Sequence, residues 1–285
     1  MELSGGMTLL LAILSSASMA VVLKLFQKDS GNRFAIIIGN YVTCVVLAFL
    51  LLPSKDVILH PDPVTVVLGL AGGILFVAGL VSMQSSIAAN GAILTSAFSR
   101  LGLLVPLLLS ILIYSERPGG FQLAGLALVF AAIWLVSGER KTQSENSPML
   151  LLVVLLSCGG ADAMAKIFEH AGRREQDNLY FLYVFAMAAL LTLFLLIREY
   201  RLTGKRVLPG DLLAGIAVGI PNYFSSMLLL KALVHLPAFI VYPCFSTGAI
   251  LMVTLAGILL FGEHLAKRQW AGLGMIAAAL VLLNL

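Results

Sequence analysis

From residue 7 onward the chain is a succession of apolar runs, each about as long as a bilayer is thick, separated by short polar connections. An α-helix needs about 20 residues to cross the hydrocarbon core. The runs at 7–26, 34–52, 64–86, 92–114, 119–137, 148–168, 179–197, 211–230, 238–261 and 269–285 approach that length. They lack the period-two alternation of barrel strands, and helices satisfy their own backbone polar groups in lipid. The expectation is an all-α polytopic membrane protein with ten transmembrane helices. Composition agrees, since 60% of the residues are hydrophobic and 11% are charged. A soluble domain carries about 25% charged residues, so this chain could not cover itself for water and its surroundings are the lipid bilayer. The net charge of +4 sits mostly in the connections, where it bears on topology and not on a nucleic-acid partner.

The runs come in two sets. Glu116 with Gln122, Ala124, Gly125 and Leu126 recurs 147 residues later as Glu263 with Gln269, Ala271, Gly272 and Leu273. At the same spacing Gly72 matches Gly219, and Phe98 and Ser99 match Phe245 and Ser246. Nearer the start, Ser15, Lys24 and Phe26 match Ser157, Lys166 and Phe168 at a spacing of 142. That internal copy, with Glu2 and no basic residue ahead of the first run, leads to the expectation of a retained helix and not a signal peptide. Residues 138–148, rich in polar residues with Gly and Pro, form the linker between one repeat at 1–137 and another at 149–285. Five spans per half is an odd number, which makes the second half cross in the opposite sense to the first. Such inverted repeats occur in transporters whose binding site lies between the halves near the midplane.

Two five-helix halves, the Tyr114-Ser115-Glu116 and Phe261-Gly262-Glu263 steps, and a closing Gln-x-Ala-Gly helix in each half resemble the EamA type of the drug/metabolite transporter superfamily. The resemblance runs from Met7 to Leu285. It implies a secondary carrier of small metabolites, often an exporter, that works by alternating access without ATP in the cell (inner) membrane. It further implies a central cavity lined by helices one, three, four, six, eight and nine, with helices five and ten peripheral.

Ionisable side chains inside a span cost about 2.5–3.5 kcal/mol at the helix centre and so call for a partner or a function. Arg100, in the fourth span beside Ser99, reads as a cavity cation for an anionic group of the substrate, as a charge paired to another helix, or as an arginine snorkelling to the nearer face. Asp162 and Lys166, four residues apart on the sixth span, read as a neutralising pair on one helix face. A proton-coupled acid is the alternative for Asp162, and pairing weakens it, because a nearby cation favours the ionised form. Lys24 and Lys231 end their spans, where long side chains can reach the interface. Lys231 also counts among the candidate substrate contacts.

Prolines break helical hydrogen bonding and bend helices. Pro221 before Asn222 and Tyr223, Pro243 after Tyr242 and before Ser246, and Pro106 in the fourth span predict bent or broken helices, with Asn222, Tyr223, Tyr242 and Ser246 facing a cavity. Glu116 and Glu263 read as structural, placed at the interface and not in the cavity, where negative charge suits a helix start, with coupling as the alternative. Cys44, Cys158 and Cys244 have no metal or redox spacing and read as small buried residues.

No enzyme signal is present. His60, His170, His235 and His264 are scattered, no phosphate-binding loop precedes a Lys-Ser or Lys-Thr, and neither metal nor cofactor is called for. The expected activity is secondary active transport, by export, of a small polar metabolite such as an amino acid, a sugar or a related anionic or zwitterionic compound, with proton coupling or none. The rivals are a flippase of a lipid-linked sugar and a non-transporting membrane scaffold or sensor. Lys and Arg are denser in connections opposite the termini, which by the positive-inside rule sets the termini outside, whereas the family resemblance implies cytoplasmic termini.

Overall fold

A computed structural model of the chain describes every residue except 1–3, 27–31, 137–146, 205, 263–266 and 284–285. Glu263 and most of the linker therefore lie outside the described residues. Among the described residues the secondary structure is helical, without strands. The helices are α1 (Gly5–Phe26), α2 (Arg33–Leu50), a single turn α3 (Asp56–Leu59), α4 (Pro63–Asn90), α5 (Ala92–Leu101), α6 (Leu104–Leu112), α7 (Gly120–Val136), α8 (Pro148–Ala171), α9 (Asp177–Thr203), α10 (Pro209–His235), α11 (Ala238–Phe261) and α12 (Lys267–Leu283). Among the described residues eight stretches are long and apolar enough to cross a membrane, the fourth being Thr95–Leu112, shared by α5 and α6. The last helix of each half is shorter, with 17 described residues in α7 and 17 in α12.

The fourth span is the broken one. It is interrupted at Gly102 and Leu103, and Pro106 lies in the first turn of α6. Pro106 has no N–H to offer the Gly102 carbonyl and its ring would clash there. That carbonyl instead accepts the Val105 N–H at 2.9 Å. The break thus falls four residues ahead of the proline, where a proline in a first turn costs nothing. By contrast, α10 runs unbroken through Pro221 and α11 through Pro243. The expectation of broken helices around Asn222 and Tyr242 is corrected accordingly: dense packing carries both helices past a missing hydrogen bond.

The main interfaces join a helix of residues 5–136 to one of residues 148–283. In the first set α1 packs on α10 and α11, and α2 on α9 and α10. In the second α8 packs on α4, α5 and α6, and α9 on α4, while α7 packs on α12. Lipid supplies no hydrophobic drive between helices, so close approach depends on small residues. A Cβ on Gly39 would lie 3.2 Å from the Gly215 Cα, where α2 and α10 run parallel. Between the fourth span and α8, a Cβ on Gly159 would overlap the carbonyl of Gly102. One apolar core is built on α1, α6, α7, α10, α11 and α12. A second is largely aromatic, with Tyr41, Phe168, Tyr180, Phe181, Phe185 and Tyr223 in mutual contact.

Candidate functional site

Between the two cores lies a cavity of about 400 Å³, lined from both halves of the chain. α1 contributes Ser16, α2 Tyr41, α4 Phe76, Gly79 and Met83, and the break in the fourth span Ser99, Arg100 and Leu103. From the other half, α8 contributes Cys158, Ala161 and Asp162, and α11 Tyr242, Phe245 and Ser246. The lining is mostly apolar with a few polar groups and one charged group of each sign, the usual make-up of a small-molecule site.

Arg100 sits in the last turn of α5, one residue before the chain leaves the helix. The unsatisfied carbonyls of a helix C-terminus favour a cation there. Pro106 therefore does two things through one break: it ends α5 early and sets a helix end beside the cavity. Among the described residues Arg100 makes no ion pair, so the reading in which another helix neutralises it does not hold. Ser99 donates its hydroxyl to the Cys158 sulfur at 3.4 Å across the cavity wall.

Asp162 and Lys166 do not pair with each other, contrary to the helix-face reading. Lys166 is 2.9 Å from Glu116 Oε1 and 2.9 Å from Glu169 Oε2, with its own side chain 6% exposed. Its ammonium also lies 5.8 Å from the centre of the Tyr114 ring, which packs at a tilt against His170. Two carboxylates and an aromatic face outcompete the single carboxylate one turn back. Asp162 is left facing the cavity without an ion pair among the described residues, while its backbone carbonyl accepts the Tyr242 hydroxyl at 2.8 Å.

Glu116 lies outside the cavity and serves a helix start, that of α11. Its Oε2 accepts the N–H of Ala238 at 2.9 Å, the first residue of α11, so the negative charge stabilises the N-terminus of a helix from the other half.

Residues 147–285 match the EamA-like transporter family. The matched family belongs to the drug/metabolite transporter superfamily. An uncharacterized protein of Haemophilus influenzae is 24% identical over 279 residues, covering 93% of this chain and 93% of its own. A protein of known crystal structure superposes with a TM-score of 0.73 at 16% identity, covering 98% of this chain and 95% of that one, and so shares the fold. The EamA match and the apolar helices together indicate a multi-pass membrane protein of transporter type.

Within the EamA-like half, several expected site residues turn away from the cavity. Asn222 donates its amide to Asn40 Oδ1 at 3.0 Å and Tyr223 donates its hydroxyl to Asn178 Oδ1 at 2.7 Å. These bonds tie α10 to α2 and to α9, and neither residue lines the cavity. Lys231 is exposed, close enough to Asp177 for their charges to interact, and outside the cavity. α10 consequently adds nothing to the lining, whereas α2 does through Tyr41, so the helix set implied by the family changes by one member. Cys158 lines the cavity and is only half-buried, while Cys44 donates its thiol to the Gly219 carbonyl at 3.3 Å inside the α2–α10 contact.

Sequence reasoning missed Ser16, Tyr41, Phe76, Cys158 and Phe245 in the lining. Ser16 and Cys158 could have been found: they are one residue beyond the matched Ser15 and Ser157 and share their spacing. Tyr41, Phe76 and Phe245 carry no such mark, because an aromatic residue in a span packs equally well against protein or lipid.

Proposed function

We propose that this chain is a secondary active transporter of a small polar metabolite carrying an anionic or zwitterionic group, such as an amino acid, a sugar acid or a related compound. It works by alternating access at the interface of two inverted five-helix halves, and export across the cell (inner) membrane is the direction its family resemblance favours.

The observation that carries the reading is the cavity itself, set between the halves with Arg100 in its wall, without an ion pair among the described residues. An apolar site with one guanidinium recognises a carboxylate or similar anion by paired charge-assisted hydrogen bonds.

The helix pairings support inversion. Taking α8 to α12 as counterparts of α1, α2, α4, the α5–α6 span and α7, the contact of α1 with α10 corresponds to that of α8 with α4, and α2 with α10 to α9 with α4. Relative directions correspond too. Gly39 meets Gly215 and Thr43 meets Gly219, so α2 and α10 are parallel; Gly69 meets Tyr180 and Gly73 meets Val184, so α9 and α4 are parallel as well. A helix of one half and its counterpart then cross in opposite senses, which is what five spans per half demands.

The lining carries the same signature. Ser99 and Ser246 stand at matched positions of the fourth and ninth spans, as do Ser16 and Cys158 of the first and sixth, and all four line the cavity. The charges break this symmetry: Arg100 matches Thr247, whose hydroxyl bonds the Pro243 carbonyl at 2.6 Å, and Asp162 matches Ala20. Two matched walls give a rocking framework, and the unmatched charges give it a substrate.

Uptake of radiolabelled amino acids, sugar acids and neutral sugars into proteoliposomes tests the proposal, with a fluorescent lipid-linked sugar as a parallel arm. Saturable movement of a water-soluble anion or zwitterion is expected; movement of the lipid alone would assign the fold to a flippase.

A further inference from the structure

We propose that Asp162 is a proton-binding site of the transport cycle, so that the carrier exchanges protons for its substrate at this carboxylate. The inference rests on the carrier reading above and adds a coupling ion to it.

Three observations carry it. Asp162 lines the cavity, which sets its carboxylate where both substrate and water can arrive. The cation placed to neutralise it, Lys166 one turn along α8, is held by Glu116 and Glu169 at 2.9 Å each and is itself almost fully buried. That cluster has one positive and two negative groups, so it offers Asp162 no net counter-charge. Thirdly, the position has no acidic counterpart in the other half, where Ala20 stands, so the carboxylate is not part of the repeat framework.

The groups facing Asp162 are few. Arg100 comes from α5, Tyr41 from α2, Tyr242 from α11 and Cys158 from the preceding turn of α8, all in the same cavity wall. Tyr180 of α9 is near enough to interact with it electrostatically. α4 and α6 contain no titratable side chain. On α10, Tyr223 is bonded to Asn178, and Asp211, Lys231 and His235 lie outside the cavity. Arg100 is the one neighbouring cation in that wall, and an anionic substrate competes for it.

A zwitterionic substrate engages both groups, its carboxylate on Arg100 and its ammonium on Asp162. The ammonium and a proton therefore occupy this carboxylate in turn: substrate binding expels the proton, and the empty cavity takes one up. In the proton-carrying step a proton from water on one side adds to a carboxylate oxygen, giving a neutral carboxyl. After the cavity turns to the other side the O–H bond breaks and the proton returns to water, with no other bond made or broken.

Infrared titration of the purified, lipid-reconstituted protein reads the site without any substrate. Between about pH 5.5 and 9, above the range where exposed carboxyls titrate, the wild type should show a protonated-carboxyl band that fades as pH rises. The band should be absent from Asp162→Asn and kept by Asp162→Glu. Carboxyl-13C aspartate in the wild type should shift it, which assigns it to an aspartate even if Asp162→Asn fails to fold. A band unchanged in Asp162→Asn, insensitive to the label, or missing from the wild type overturns the proposal.

In proteoliposomes with radiolabelled alanine, aspartate and gluconate as probes, one pH unit can drive at most about tenfold accumulation per proton exchanged, since a tenfold ratio and one pH unit are equal in free energy. Asp162→Asn should lose that accumulation and Asp162→Glu should keep it. Equal accumulation in wild type and Asp162→Asn would overturn the proposal. Absence of transport for every probe, with the infrared band behaving as stated, would fault the choice of carrier substrate and leave the proton site standing.

Discussion

The Lys166 ammonium lies 2.9 Å from Glu116 Oε1, and the other oxygen of that carboxylate accepts the Ala238 N–H at 2.9 Å. One side chain, from the connection between α6 and α7, thus holds a helix of the EamA-like half by its charge and another by its first amide. Removing either carboxylate leaves Lys166 paired with the other, so the loss stays below the about 3–5 kcal/mol of a stranded buried charge. Glu116→Ala should therefore lower the thermal midpoint of the purified protein more than Glu169→Ala, because only Glu116 also serves α11. Glu116→Gln should recover part of the loss by keeping an acceptor for Ala238. Equal midpoints for Glu116→Ala and Glu169→Ala would remove the second role from Glu116.

The contact between Gly102 and Gly159 predicts a steric effect. A Cβ on Gly159 would meet the Gly102 carbonyl and the Val105 side chain, and overpacking of this kind costs about 1–3 kcal/mol. Gly159→Ala should destabilise the protein and disturb the break that ends α5 beside Arg100. Gly274→Ala, where a new Cβ meets nothing within 4 Å, should leave the stability unchanged or raise it by up to about 1 kcal/mol through better helix propensity. Thermal unfolding of the two variants, measured side by side, checks the ordering.

Tyr223 and Asn222 give the complementary test. Tyr223→Phe loses one hydrogen bond to Asn178, worth about 1 kcal/mol, and leaves the cavity wall untouched. Its thermal midpoint should fall slightly while the transport KM stays at the wild-type value. A KM raised severalfold by Tyr223→Phe would put that residue back among the substrate contacts.

Spans and doubling were legible in the residues because both are linear properties. A run of 20 apolar residues is a span whatever its neighbours, and Glu116 with Gln122, Ala124 and Gly125 repeats in register whatever the packing. Arg100 stood out for a similar reason, since a guanidinium in a span needs explaining. The partners of Lys166 were not legible. Spacing along one helix offered Asp162 at four residues, but the choice was made in three dimensions by Glu116, 50 residues away, and Glu169 on the next turn. The prolines misled in the same manner. Pro106, Pro221 and Pro243 look alike as letters, yet only the fourth span breaks, and there the Gly102 and Gly159 backbones come into contact.

Tyr242 shows how a residue can be located without its partner being foreseen. Its place beside Pro243 pointed to the cavity, and it lines the cavity, but its hydroxyl is committed to the Asp162 backbone carbonyl at 2.8 Å. Tyr242→Phe should loosen the contact of α11 with α8. The expected result is faster exchange of buried amide hydrogens in both helices near those residues; unchanged exchange would show the bond to be dispensable.

The central claim is that Arg100 receives the anionic group of a transported solute. Thermal shift of purified wild type and Arg100→Gln against the same panel of amino acids, sugar acids and neutral sugars tests it most directly. A ligand at about 100 times its Kd stabilises a protein by about 2.7 kcal/mol, well above the spread of replicate midpoints. The account predicts that at least one anionic or zwitterionic compound raises the wild-type Tm and that the same compound leaves Arg100→Gln unmoved. An equal rise in both proteins would contradict it.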